Sequence, residues 1–305
     1  MKEFLREILS VGPLILYAGA VVLVVYWLRW RRKTRWPFKD NDRLLRMPGE
    51  SLKREALKLE ESFVGEFFGG AVASLVALPA SYHLLKWAGR SDSTAITLAA
   101  VACLIALGGS AFRIGRLSIK RSDYHMGWFG ERLVADRLRP LQAEGYRVFH
   151  DVPCEGAAGT FNIDHVTVGP TGVAVIETKT KRKPKSATGD ATQKEHEVIF
   201  DGSKLKWSNG VASDGPIKQV SDAARWLADW IHEQTGIRVS AKRVLTVPGW
   251  MVYEKPKTFD PDLRVIPPQF LKDAIKGRTK SGLLTDDQID LIARQLETKC
   301  RDVQD

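Results

Sequence analysis

Phe161–Thr180 reads FNIDHVTVGPTGVAVIETKT, and everything around it is read from this stretch. Phe161–Val168 has the alternation of a strand, Gly169-Pro170-Thr171-Gly172 is a turn, and Gly172–Thr180 is a second strand. Successive side chains in a strand point to opposite faces, so Val173, Val175, Glu177 and Lys179 share one face. Asp164 continues the row of Val166 and Val168. A tight turn pairs the strands antiparallel. Asp164, Glu177 and Lys179 are thereby expected at the end opposite the turn, at one edge of a sheet.

The flanking elements are mixed. Asp123–Ala143 has helical spacing, with Val134, Leu138 and Leu141 on one face, and Glu131 falls on that apolar face. Gly145 ends this helix, and Tyr146–Val152 is a strand. Downstream, Val198–Trp207 reads as a hairpin about Asp201-Gly202. Pro216–Gln234 is a helix with Ile217, Val220, Ala224, Leu227 and Ile231 in register, and Arg243–Val247 is a last strand. Phe270–Ile275 and Asp286–Leu296 are C-terminal helices, the second N-capped by Thr285. The order is helix, three strands, inserted hairpin, helix, strand, without a repeat or a glycine-rich phosphate loop.

The front of the chain has a different character. Three uncharged stretches, Ile8–Leu28, Phe67–Leu85 and Ala95–Phe112, have the length needed to cross a bilayer, the last reaching about residue 114. Small residues such as Gly69, Gly70, Gly108, Gly109 and Ser110 permit close helix approach in lipid. The start, MKEFLRE, is charge-balanced and no small-residue cleavage site follows, which fits an uncleaved anchor. Arg29–Lys58 holds eleven Lys and Arg, against two in 1–7 and two in 86–94. Positive charge stays inside, so the N-terminus is expected outside, the basic loop 29–66 inside, and residues 115–305 in the cytoplasm. That places the chain as a multi-pass protein of the cell inner membrane. Pro48–Glu66 reads as a short polar helix, either solvated or resting on anionic lipid. Cys103, Cys154 and Cys300 are too few and too scattered for a disulfide scaffold or a zinc pair. With 44% hydrophobic residues and a net charge of +10, the chain is not a disordered one.

A carboxylate on an apolar face is costly unless something compensates it. A hard divalent cation does so: Mg2+, with Mn2+ as an alternative, binds through one or two carboxylates plus substrate phosphate. Asp164 and Glu177 would be its ligands, with the backbone carbonyl of Thr178 as a third. Lys179 would face the attacking water or the phosphate, Glu131 would act through water or on a second metal, and Gln219 would orient a water or a phosphate. The same residues also fit a structural ion-pair cluster. The run KTKRKPK at 179–185 makes Lys181, Arg182, Lys183 and Lys185 candidates for gripping a phosphodiester backbone, and equally fits a solvated loop.

From Gly127 to Leu296 the chain resembles the nuclease-related domain (NERD) family, a branch of the PD-(D/E)xK nuclease superfamily. The matching residues are Gly130-Glu131, Tyr146–Phe149, Asn162–Val166, Val168-Gly169-Pro170, Gly172-Val173, Ile176–Lys179 and Gly215–Gln219. The resemblance implies a restriction-endonuclease-like α/β core, which here follows the all-α transmembrane region of three helices read from the apolar stretches. It also implies metal-dependent phosphodiester hydrolysis by Asp164, Glu177 and Lys179, supported by Glu131 and Gln219. His165 should face away from Asp164. One departure is the long insert Thr180–Glu197, where the family turns quickly. The expected function is a membrane-anchored nuclease acting on DNA, in defence against foreign DNA. The alternative is a non-catalytic nucleic-acid-binding or sensing module on the same fold. Its partners would be DNA, the lipid bilayer, and a second copy or another protein.

Overall fold

The computed structural model describes residues 17, 19–28, 30–31, 43–156, 159–184, 196–255, 260–277 and 282–303. They fall into two compact units, one within 1–42 and 57–121, the other within 43–56 and 122–305. Residues 8–16 and 18 of the first expected span, the basic residues 32–42, Lys185 and most of the insert lie outside the described residues.

In the first unit, Gly19–Leu28 (α1) is a short apolar helix. The chain next forms two long helices, Glu50–Trp87 (α2) and Asp92–Gln142 (α3), each with a window long and apolar enough to cross a membrane. The sequence treated Pro48–Glu66 and Phe67–Leu85 as separate segments, but α2 runs through both. Likewise α3 joins the third apolar stretch to the helix expected over Asp123–Ala143. Gly65 and Gly115 stand near the two junctions, but no proline does, and a lone glycine costs only about 1 kcal/mol in a helix, so backbone hydrogen bonding continues through both. Within this unit α2 and α3 approach closely, since a Cβ on Gly70 would stand 2.3 Å from Ser110 Oγ. Exposed ion pairs join Arg121 to Glu60 at 3.1 Å and Arg113 to Glu66 at 3.7 Å.

The second unit is mixed α/β. Leu44–Leu45 (β1) pairs with Arg301–Val303 (β11). Its main sheet contains Arg147–Gly156 (β2), Gly159–Gly169 (β3), Gly172–Thr178 (β4), Lys242–Thr246 (β8) and Leu263–Ile266 (β10), in the order β10-β8-β4-β3-β2. The β3-β4 hairpin is antiparallel, as the sequence predicts, and β2 pairs antiparallel with β3, whereas β4-β8 and β8-β10 are parallel. Gly172 closes the β3-β4 turn at φ 103°, a conformation that glycine alone adopts readily. A smaller sheet joins Glu197–Phe200 (β5), Leu205–Trp207 (β6), Ala212–Ser213 (β7) and Met251–Glu254 (β9). Its β5-β6 hairpin is the one expected about Asp201-Gly202.

Every residue of β4 is buried. Val173 and Val175 face a core shared with Val220, Leu227 and Ile231 of Gly215–Thr235 (α4) and Ile292 and Leu296 of Asp286–Lys299 (α6). Ala174 and Ile176 face the second core with Val134, Leu138 and Leu141 of α3 and Leu271 of Leu271–Lys276 (α5). The strand is therefore sandwiched between layers, with its C-terminal end carrying Glu177 and Thr178 at the rim of both cores. The expected sheet edge is in fact the end of a central strand, because β8 and β10 extend the sheet beyond β4.

Candidate active site

The β3-β4 ladder ends at the pair His165 and Ile176. One step further, Asp164 and Glu177 stand opposite each other, and Asp164 Oδ2 accepts the backbone N–H of Thr178 at 2.7 Å. Lys179 Nζ lies 3.8 Å from Glu177 Oε1 and donates to Gln219 Oε1 at 3.4 Å. Gln219 sits in the first turns of α4, so the N-terminal end of that helix meets the C-terminal end of β4. The structure thus brings Asp164, Glu177, Lys179 and Gln219 together.

Glu131 comes from the other layer. It is 5% exposed, and its Oε2 is buried without a hydrogen-bond partner. It reaches this end of the sheet because α3 packs very close to β4: a Cβ on Gly130 would stand 2.2 Å from Thr180 Cγ2 and 3.6 Å from Thr178 Cγ2. Burial raises the Glu131 pKa, and the charges of Asp164 and Asp151 raise it further, against a hydrogen bond from the Gly49 backbone. Glu177 is raised well above the usual range by burial, then by Asp164, while Lys179 opposes the shift. Asp164 is also raised, chiefly by burial, although the Thr178 N–H and Lys179 pull it down. Acids that push one another's pKa upward in a buried place form a site that favours a compensating cation.

Sequence reading missed Asp151. In the β2-β3 ladder His150 pairs with His165 and Val152 with Ile163, so Asp151 is opposite Asp164. Asp151, Asp164 and Glu177 form one row across three strands. Asp151 has φ 48°, the single positive value among the described non-glycine residues. Such strain collects at functional sites. Phe149 packs against the α4 core and the next inward residues are Val152 and Cys154, so the alternation slips at Asp151. Its carboxylate binds Arg46 Nη1 at 3.0 Å, Ser51 Oγ at 2.6 Å and the Ser51 backbone N–H at 3.1 Å. The signal available was an acid inside an otherwise apolar strand, the same signal that singled out Asp164.

Residues 126–248 match the family described as the nuclease-related domain. The chain carries a NERD domain. No curated protein and no solved structure matches the chain. The NERD match covers every residue of the expected site, from Glu131 to Gln219, and leaves out 43–56.

His165 of the NERD domain is fully buried and meets His150 Nδ1 to Nδ1 at 2.8 Å across β2 and β3. Burial drives His150 down to about 4 and His165 well below its usual value. The pair is neutral and holds the strands together on the face away from Asp164. In the basic run, Lys181 lies over the Trp207 ring at 4.6 Å, and its carbonyl accepts from Trp250 Nε1 at 3.1 Å. Arg182 is held by Asp123 at 3.1 Å and Ser122 at 2.8 Å, while Lys183 is exposed.

The donor chemistry fits a hard cation: two facing carboxylates and a third acid with an unpartnered buried oxygen. Among the described residues no three His, Cys, Asp or Glu side chains converge closely enough to hold a metal alone. The fit is therefore to an ion that takes one or two carboxylates and completes its shell with water and substrate oxygens.

Proposed function

We propose that this NERD protein is a divalent-cation-dependent nuclease that hydrolyses DNA phosphodiesters, anchored to the inner membrane by α2, α3 and the apolar N-terminal stretch, with its α/β unit in the cytoplasm. A restriction-endonuclease-like core carries the site in this reading. The carrying observation is the contact chain from Asp164 through the Thr178 N–H, Glu177 and Lys179 to Gln219, at the joined ends of β3, β4 and α4.

Asp164, Glu177 and the Thr178 carbonyl would hold Mg2+ or Mn2+. Such an ion supplies Lewis-acid polarisation of a phosphoryl oxygen. Lys179 sits half-exposed beside Glu177, where its ammonium meets the negative charge that builds on phosphorus. Gln219 fixes the Lys179 amine from α4, so the amine has one position when substrate arrives. Glu131 adds a buried acid on the opposite side of the strand end. Defence against incoming DNA is the role that fits a nuclease held at this membrane.

The test uses the full chain in detergent with plasmid DNA, Mg2+ or Mn2+, and EDTA controls. Metal-dependent cleavage lost in Lys179→Ala and Glu177→Ala supports the reading. DNA binding by wild type with no cleavage under either metal moves the protein to the alternative, a nucleic-acid-binding or sensing module.

A further inference from the structure

Three residues of the segment 43–56 reach acids at the site. Arg46 Nη1 donates to Asp151 Oδ2 at 3.0 Å, to the Asp151 carbonyl at 3.1 Å and to Asn162 Oδ1 at 3.3 Å. Ser51, in the first turn of α2, binds both Asp151 oxygens. The Gly49 backbone N–H serves Glu131. Asn162 and Asp151 flank Asp164, one along β3 and the other across the ladder. The segment is itself tied down: the Arg46 N–H donates to the Cys300 carbonyl at 3.1 Å, and β1 pairs with β11.

We propose that residues 43–56 are a clamp on the nuclease site, with Arg46 and Ser51 as positioning residues acting through Asp151. The working unit then includes a stretch that precedes the matched domain and lies outside it. Asp151 could not keep its left-handed backbone and buried charge by itself, because each carries a cost. Arg46 and the N-terminal turn of α2 offset the charge, and the carboxylate in turn holds the β2 kink that sets Asp151 against Asp164. The Gly49 backbone N–H on the same loop also favours the charged form of Glu131, so the segment bears on acids from two layers.

This inference rests on the proposed nuclease reading. It is tested on the full chain in detergent by Mn2+ titration followed by electron paramagnetic resonance, by cleavage kinetics, and by thermal unfolding. Arg46→Ala and Ser51→Ala are expected to weaken Mn2+ about 10-fold, as loss of a partner behind a metal ligand does. They should lower kcat and leave KM for DNA unchanged. Arg46 reaches Asp151 and Asn162 through one nitrogen, so Arg46→Lys should restore binding and kcat, as should Ser51→Thr. Folded Arg46→Ala and Ser51→Ala proteins with wild-type Mn2+ affinity and kcat overturn the clamp. So does a lowered unfolding midpoint with ion affinity intact. Should Arg46→Ala fail to fold, Ser51→Ala decides, since it removes one hydroxyl and keeps the Ser51 N–H bond. Wild type that binds no Mn2+ and cuts no DNA overturns the nuclease reading itself, and the clamp with it.

Discussion

The Thr178 backbone N–H donates to Asp164 Oδ2 at 2.7 Å, one step beyond the last β3-β4 ladder pair. A side chain takes over where the ladder stops, and this holds the carboxylate of one strand against the end of the next. The acid is both a structural acceptor and a buried charge among acids. These roles separate by substitution.

Asp164→Asn keeps an oxygen for the Thr178 N–H and loses the charge. Cleavage should fall at least ~100-fold, the scale on which a preorganised charged group acts. Unfolding in EDTA at pH 8 should be no easier than for wild type, because neutralising one of several mutually repelling buried acids relieves strain. A variant that cuts DNA like wild type removes Asp164 from the site.

Gly130 tests the close packing of α3 on β4. Gly130→Ala places a methyl 2.2 Å from Thr180 Cγ2, which forces a shift costing about 1–3 kcal/mol, against a helix-propensity gain of about 1 kcal/mol. The single variant should be destabilised by about 1 kcal/mol and lose activity as Glu131 moves. In a Thr180→Ser background the offending methyl is gone, and the same change should stabilise by up to about 1 kcal/mol. Denaturant unfolding of the four proteins gives the cycle. Equal effects in both backgrounds would mean the Thr180 methyl is not the obstacle.

Much of this arrangement was legible in the sequence, for definite reasons. The β3-β4 hairpin was readable because its turn is short and marked by glycines, which fixes register and therefore the Asp164-Glu177 juxtaposition. Glu131 and Gln219 were readable as polar residues inside helical patterns. Asp151 escaped because its role depends on a left-handed backbone and on Arg46 and Ser51, about a hundred positions away. Helices α2 and α3 were cut in two because a change from apolar to polar surface looks like a boundary, whereas hydrogen bonding along the helix is blind to it. Strands β9 and β10 were missed since each is only four residues long and too short to show a clear alternation. The sequence left the basic run open between a phosphate grip and a solvated loop; its first members are occupied by Trp207 and Asp123.

The buried histidine pair sets an acid limit on stability. His150 has its pKa lowered to about 4 by burial, from 6.5 when unfolded. The unfolded chain thus binds the extra proton first. The stability His150 contributes is present above about pH 6.5 and is lost as pH falls toward 4. Since His150 is only partly buried, the loss should be about 2 kcal/mol, below the full linkage value. His150→Gln keeps a partner for His165 and removes this titration. Unfolding midpoints from pH 7 to pH 4.5 should fall less steeply for His150→Gln than for wild type. Parallel curves would mean that His150 remains neutral in the unfolded chain or is solvated in the folded one.

The basic run divides into anchored and exposed cations, and salt dependence separates them. Lys183→Ala should reduce the slope of log affinity for DNA against log salt by about 1, as loss of one phosphate contact does, and leave the unfolding midpoint unchanged. Lys181→Ala should leave the slope alone and lower stability by ~0.5–1 kcal/mol, the scale of a cation–π contact at a partly exposed site. Equal slopes for wild type and Lys183→Ala, or a reduced slope for Lys181→Ala, would move the DNA path away from Lys183. The contrast follows from geometry: an ammonium seated on Trp207 has already exchanged part of its hydration for a ring face, and it gains less than Lys183 by turning to a phosphate.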